Sequence, residues 1–322
     1  MSGDAVSTAP PGNPQAAPLG QCVLVIEIGG TSIKFGYVVD GRPHAFTRKY
    51  PSDLMRRADP LSVLADCARA VIAEAGLAPD SIVATAPGHI DRDFDLLLHI
   101  VNVQEMNGMR MASGLAAALG LPVMLERDVV LLLLGERAAG AALGEDHVLG
   151  VFFGTGIGAA YLGARGEPFR GGGWALEIGH MPFRGEGRQL AGQTVDTLEA
   201  YASGRAVQQL ADRSGVPVGD LFVAPDRPAW LMAALDELVR DQAFCVGAAI
   251  AMMSPKLVIL GGGVAEMPGY PRDALVARIK AHSPLPAAVG TIDIRWARLG
   301  WEAALFGAGD LVRQGQRRPV MP

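Results

Sequence analysis

Apolar positions along this chain fall into two periods. Short unbroken or alternating runs come first, from Cys22 to Ile28 and from Ile33 to Val39, with a third near 44–49. Runs of this length, rich in β-branched residues and interrupted by glycine, predict strands. At residue 60 the period changes. Leu61, Leu64, Ala65, Ala68, Val71 and Ile72 recur at helical spacing, with Asp59 placed to cap, Pro60 at the first turn and Gly76 beyond the end. A helix is expected over 60–75. Ser81 to Thr85 reads as a strand, closed by Pro87-Gly88, and Asp95 to Val101 as a weaker strand of the same sheet. A helix over 108–119 ending at Gly120 and a strand over 122–125 follow. Further on, the pattern predicts an apolar helix over about 128–139 and strands at 148–153 and 159–162. A glycine-rich stretch at 165–192 reads as loop. Helices then fit 194–213 (broken near Ser203-Gly204), 228–252, 271–282 and 301–313, with strands at 256–260 and 290–295. Hairpins give way to strands alternating with helices, so two α/β domains around mixed sheets are expected.

Two of the strand pairs carry glycine turns: Ile28-Gly29-Gly30-Thr31, and Gly154-Thr155-Gly156-Ile157-Gly158. Glycine tolerates positive φ and lets an anion approach exposed backbone amides, so such a turn suits phosphate. The dinucleotide-binding pattern requires a helix directly after the glycines, and here strands follow both. The P-loop pattern is absent. Each turn alone reads equally well as an ordinary hairpin. Two of them suggest a duplicated fold gripping one polyphosphate.

Composition narrows the class. The chain has 322 residues, 50% of them hydrophobic and 19% charged, which describes a globular protein with a large core. Net charge is −5, and basic residues never run beyond pairs such as Arg317-Arg318, so a nucleic-acid surface is not expected. Cys22, Cys67 and Cys245 are far apart and odd in number, as in a reducing cytoplasm. No run is long and apolar enough for a membrane span. Residues 1–20, without a basic start or an apolar core, are expected to be a disordered tail and not a signal peptide.

Taken in order, six segments resemble the ROK family of bacterial sugar kinases and repressors. They are Ile26-Glu27-Ile28-Gly29-Gly30-Thr31, Leu125-Glu126-Arg127-Asp128, Gly154 to Gly158, Glu177-Ile178-Gly179-His180-Met181-Pro182, Leu198-Glu199-Ala200-Tyr201, and Val258 to Val264. Within that family Arg127-Asp128-Val129 and the stretch from Leu260-Gly261-Gly262-Gly263-Val264 through Met267-Pro268-Gly269-Tyr270-Pro271-Arg272 are most similar to D-allose kinases. The resemblance implies an actin-like (ribonuclease-H-like) α/β ATPase fold, two lobes around a central cleft. The lobes expected are 21–126 and 127–300, with the C-terminal helix at about 301–314 returning to the first. It also implies an ATP-dependent hexose kinase acting at the 6-hydroxyl, cytoplasmic and homodimeric, with ATP and Mg²⁺ as cofactors and a small sugar as partner.

By the same resemblance Asp128 is the general base, and Asn102, Asp128, Glu177, His180 and Glu199 hold the sugar. Gly29, Gly30, Thr31, Gly154, Thr155 and Gly156 hold phosphates, Gly261, Gly262 and Gly263 lie against the nucleoside, and Glu27 reaches Mg²⁺ through water. Plainer readings exist for several. Asp128 can cap helix 128–139, and Asp196 to Glu199 can form a capping box. His180 can be a buried histidine bonded to backbone, Asn102 a turn residue, and Lys34 a solvated hairpin charge. The family's cysteine-rich loop, which with the counterpart of His180 holds a structural zinc, has Leu190, Gly192 and Thr197 at its cysteine positions. No structural zinc is expected there, and packing must order the loop instead. Glu27 replaces a commoner aspartate and Arg127 a commoner asparagine. A repressor would need a DNA-binding domain, which the 21 residues before the first strand, without Lys or Arg, do not supply. A non-catalytic sugar-binding relative is the remaining alternative.

Overall fold

The computed structural model describes residues 21–322 apart from 87, 92–94, 101–102, 191–193, 283–291 and 314–318. The expected tail over 1–20 and the candidate ligand Asn102 lie outside the described residues. Three antiparallel strands open the fold: β1 (Cys22–Ile28), β2 (Ser32–Val39) and β3 (Arg42–Pro51). A single turn of helix, α1 (Leu54–Arg57), leads to α2 (Pro60–Ala75). Its ends form as the residue types dictate: the Asp59 carboxylate accepts the Ser62 N–H at 2.8 Å, and Gly76 closes the helix in the left-handed region. Then come β4 (Ser81–Thr85), the hairpin β5 (His89–Asp91) and β6 (Leu96–His99), α3 (Met111–Leu119) and β7 (Val123–Glu126). The main sheet runs β3-β2-β1-β4-β7.

The described residues of the expected strand at 95–101 do not join that sheet. Leu96–His99 pairs with β5 in a separate two-stranded sheet, and Leu96 also bridges Arg110. Two interactions explain this. Asp95 turns to cap α3, its carboxylate accepting the Ala112 and Ser113 N–H groups at 2.9 and 2.7 Å. The outer edge of β7 is meanwhile taken by Val320, which exchanges both backbone hydrogen bonds with Val123. With its start tied to a helix and the sheet edge filled, the strand is left to a local partner.

The second half begins with α4 (Asp128–Ala139), β8 (Val148–Phe153) and β9 (Ile157–Leu162). After a long loop come α5 (Glu199–Ala202), α6 (Gly204–Ser214), α7 (Ala229–Met253), β10 (Leu257–Gly261), α8 (Arg272–His282), β11 (Asp293–Trp296) and α9 (Glu302–Arg313). The helix expected from 194 starts at 199, because Asp196 adopts φ 56° and its carboxylate accepts the Gly187 and Arg188 amides of the loop at 3.0 and 2.9 Å. The capping box at Asp196 is therefore not formed. Ser203 caps α6 instead, accepting the Ala206 N–H.

This sheet runs β11-β10-β8-β9 and repeats the wiring of the first. β8 is antiparallel to β9 and parallel to β10, which is parallel to β11. In the same way β1 is antiparallel to β2 and parallel to β4, which is parallel to β7. The duplication that the two glycine turns suggest is thus present in the topology, and both turns follow the first strand of their repeat.

Helices α4 and α9 lie between the sheets. Val129, Leu133 and Leu134 of α4 and Ala304, Leu305 and Leu311 of α9 share one buried cluster with Val25 and Val83 of the first sheet and with Val148 and Ile259 of the second. The two helices touch backbone to backbone. A Cβ on Gly135 would stand 1.9 Å from the Ala303 carbonyl oxygen, and one on Gly307 would stand 2.0 Å from that of Leu131. No side chain fits in that crossing. The far faces of the sheets are covered separately, by α2 and α3 on one side and by α5 to α8 on the other.

Candidate active site

The two glycine turns face each other across a cleft of about 770 Å³. Its wall includes Glu27, Gly29, Gly30, Thr31, Asp128, Gly154, Thr155, Gly156, Glu177, His180, Glu199, Gly262 and Gly263. Of the candidates within the described residues, Gly261 alone stays out of the wall. It ends β10 with its Cα against Ala297 and Phe152, where a Cβ would stand 2.8 Å from the Ala297 methyl, so its smallness serves packing.

The first turn is built by its own sheet. Gly29 N–H bonds the Ser32 carbonyl at 2.8 Å, and Ser52, just past β3, donates its hydroxyl to the Gly30 carbonyl at 2.9 Å. The second turn is built from a distance. Gly154 N–H bonds the Gly156 carbonyl, and the Glu199 carboxylate accepts the Ile157 N–H at 2.7 Å. Gly204 and Arg205, which begin α6, donate their amides to the Gly154 and Thr155 carbonyls. A Cβ on Gly156 would meet the Glu199 carboxylate at 1.9 Å, and one on Gly204 would meet the Gly154 carbonyl oxygen at 2.5 Å.

Asp128 sits between the turns at the first position of α4, and its carboxylate accepts the adjacent Val129 N–H at 2.8 Å. Burial raises its pKa, reinforced by Glu177 and opposed by the Val129 amide and by Arg127. Glu27 is also raised, by burial first, with Asp128 adding to the effect and Lys34 opposing it. The two carboxylates therefore sense each other across the cleft. A carboxylate whose proton affinity is raised suits proton acceptance near neutral pH.

Lys34 is a paired charge at the cleft and not a free one. Its ammonium lies 3.3 Å from Glu27 and 5.2 Å over the Trp301 ring, inside the cleft. The register of β1 on β2 places Glu27 directly opposite Lys34, so hairpin pairing is the signal that identifies it. Arg127 is buried at 4% exposure. It pairs with Glu177 at 2.6 Å and donates to the Ala175 carbonyl at 2.6 Å, tying the loop after β9 to the start of α4. Nothing in its spacing to residue 177 announces this contact. Glu136, fully buried on α4, accepts the amides of Ala141, Arg298 and Leu299 and so fixes the approach to α9.

At the other end of the cleft, the His180 ring lies near His89 of β5 and His99 of β6, with centroids 5.3 and 6.3 Å away. Burial lowers the pKa of His89 to about 4, and His180, His99 and Arg127 add to the shift. Neither His89 nor His99 stands out in the sequence, because the hairpin that carries them is a local departure from the main sheet.

Oxygen donors facing the glycine turns, Glu27, Asp128, Thr31 and Thr155, fit a hard cation such as Mg²⁺ carried by a polyphosphate. The cysteine-loop zinc of the resemblance finds no such fit. Leu190 is buried there against Ala200, Tyr201 and Phe183. Arg184 and Arg188 stack on Tyr201, and Asp196 accepts the Tyr201 hydroxyl. Around Leu190 the described residues offer an apolar cluster with a polar rim and no thiolate.

A duplicated α/β fold with paired glycine turns around an acid-bearing cleft defines the actin-like class. A model of the ROK family matches residues 23–315, and the chain belongs to that family. It is similar to the glucokinase of Thermotoga maritima, 26% identical over 319 residues that cover 91% of this chain and 97% of the relative. Among solved structures it resembles the ROK hexokinase of Thermus thermophilus, with TM-score 0.72, 28% identity and coverage of 90% and 97%. It also resembles a ROK glucokinase of Streptomyces griseus in complex with glucose and AMPPNP, with TM-score 0.77, 25% identity and coverage of 91% and 100%.

Proposed function

We propose that the protein is an ATP-dependent hexose kinase that transfers the γ-phosphoryl group of Mg-ATP to a sugar hydroxyl, the 6-hydroxyl of D-allose or a related aldohexose. The observation that carries this reading is the placement of Asp128, with its burial-raised carboxylate, between two facing glycine turns. Kinase relatives spanning nearly the whole chain support it.

Asp128 takes the proton of the attacking hydroxyl as the new O–P bond forms and the bond to the β-phosphate oxygen breaks, releasing ADP. Backbone amides of Gly29 to Thr31 and Gly154 to Gly156, with the Thr31 and Thr155 hydroxyls, hold the phosphates. Gly262 and Gly263 let the nucleoside lie against backbone. Glu27, fixed by Lys34, would help to hold Mg²⁺ brought in with the nucleotide, and that ion would supply charge neutralisation for the phosphates. Asn102, Glu177 and His180 bind sugar hydroxyls. Glu199 supports the second turn through Ile157 and borders the sugar's place in the cleft wall. The lobes divide at 126/127, with α9 packing back on β1 to β3 as well as on α4. A homodimer in the cytoplasm completes the reading, on the family resemblance alone.

The test is ADP release from Mg-ATP across aldohexoses, fructose and N-acetylmannosamine. Sugar-dependent ADP with one member establishes the kinase and names the acceptor. No turnover with any sugar, while one of them still raises the melting temperature, would replace the kinase by a sugar-binding protein.

A further inference from the structure

We propose that His89, Glu177 and His180 form a binding site for one divalent transition-metal ion of the zinc class. The inference does not rest on the kinase reading. Each of the three offers one ligand atom, and these atoms lie within 4.8 Å of one another. His180 Nε2 stands 4.0 Å from Glu177 Oε2. Ligands around a tetrahedral zinc at its usual bond lengths lie about 3.4 Å apart, so small side-chain rotations close the set.

Two further observations support the set. His89 Nε2 is buried and has no hydrogen-bond partner among the described residues, which is unusual for a buried polar atom. Glu177 is divided between two tasks: Oε1 is held by Arg127 at 2.6 Å, which fixes the carboxylate and turns Oε2 toward His180. Outer partners of this kind orient metal ligands. Two imidazoles and one carboxylate favour zinc, cobalt or nickel over magnesium or calcium, which take oxygen.

The ligand set differs from the cysteine loop, where Leu190 and Thr197 carry no thiol. His89 belongs to the hairpin of the first half of the chain, and Glu177 and His180 to the loop after β9, so one ion would tie the two halves at the end of the cleft. Three protein ligands leave a position for water or a hydroxyl group, so the sugar contacts proposed above for Glu177 and His180 would run through the ion when it is bound.

The experiment strips the full chain with a chelator and titrates Zn²⁺ against a chromophoric competitor, then repeats the titration with Co²⁺ and records its visible spectrum. One equivalent is expected, with d–d bands of a nitrogen and oxygen site and no thiolate charge-transfer band. His89→Gln and His180→Gln should each weaken binding at least about tenfold. Replacing Cys22, Cys67 and Cys245 together by serine should leave binding unchanged. Melting of the metal-free variants beside the metal-free parent shows that they fold. The site is refuted by absence of stoichiometric binding, by a thiolate band, or by affinity indifferent to both histidine variants. Catalytic turnover is not read, so failure of the kinase reading leaves this result intact.

Discussion

The two glycine turns follow equivalent strands of a repeated sheet, yet they are held by different means. The first is stitched inside its own sheet, by Ser32 on its own hairpin, by Ser52 at the end of the neighbouring strand and by the Thr85 hydroxyl of β4, which accepts the Ile28 N–H. The second depends on Glu199 and on the start of α6, more than forty residues further along. Equivalent shape therefore does not mean equivalent support. The first turn is part of a sheet, whereas the second is the meeting point of a sheet with a helical layer, and a change in that layer reaches it directly.

If both turns serve one nucleotide, the acid between them has the largest effect. Asp128→Asn should lower turnover by about 10²- to 10⁴-fold with little change in melting, and retention of full turnover would remove the base. Because burial raises the Asp128 pKa, the acid limb of kcat/KM should stand above the ordinary carboxylate range, activity falling as pH drops through it.

The comparison sharpens at Gly204, where a methyl group would push against the backbone of the second turn at 2.5 Å. Gly204→Ala should cost about 1–3 kcal/mol in a denaturant melt and raise the KM for ATP more than that for sugar. An unchanged KM would mean that the second turn does not hold the nucleotide.

A third effect arises where the two halves meet. The unfolded His89 ring takes a proton near pH 6.5 and the folded one only near 4. Between these values the unfolded state binds more protons, so stability is present above about 6.5 and is lost as pH falls toward 4. Allowing for partial exposure, the loss in metal-free protein should be about 2 kcal/mol. His89→Gln should flatten that part of the melting profile, and an identical slope in parent and variant would assign it elsewhere.

The smallest effect belongs to the turn stitched inside its own sheet. Ser52→Ala removes one hydrogen bond to Gly30 and should cost about 1 kcal/mol. A loss as large as that of Gly204→Ala would erase the contrast between the turns.

Legibility in the sequence follows the same division. Helix α2 could be read to the residue because Asp59, Pro60 and Gly76 act on their own backbone. The turns, Asp128 and the ROK resemblance were equally plain, being contiguous strings. What escaped was whatever depends on a distant partner. The strand at 95–101 looked fit for the main sheet, but Asp95 is claimed by α3 and the sheet edge by Val320. Lys34 looked solvated until the register set it against Glu27, and Arg127 looked like a mere departure until the fold set it against Glu177. The expected helix start at 194 failed because Asp196 bonds loop amides, a choice that single-residue propensity does not encode.

At the crossing of α4 and α9, Gly135 and Gly307 each approach the other helix's main chain with no side chain between them. Main-chain atoms are common to every sequence, so the spacing between the two sheets is a ruler that mutation of neighbouring apolar residues does not recalibrate. Either half of the molecule is thus free to vary its interior while the span across the cleft keeps its length, and a methyl group at one of two positions suffices to change it.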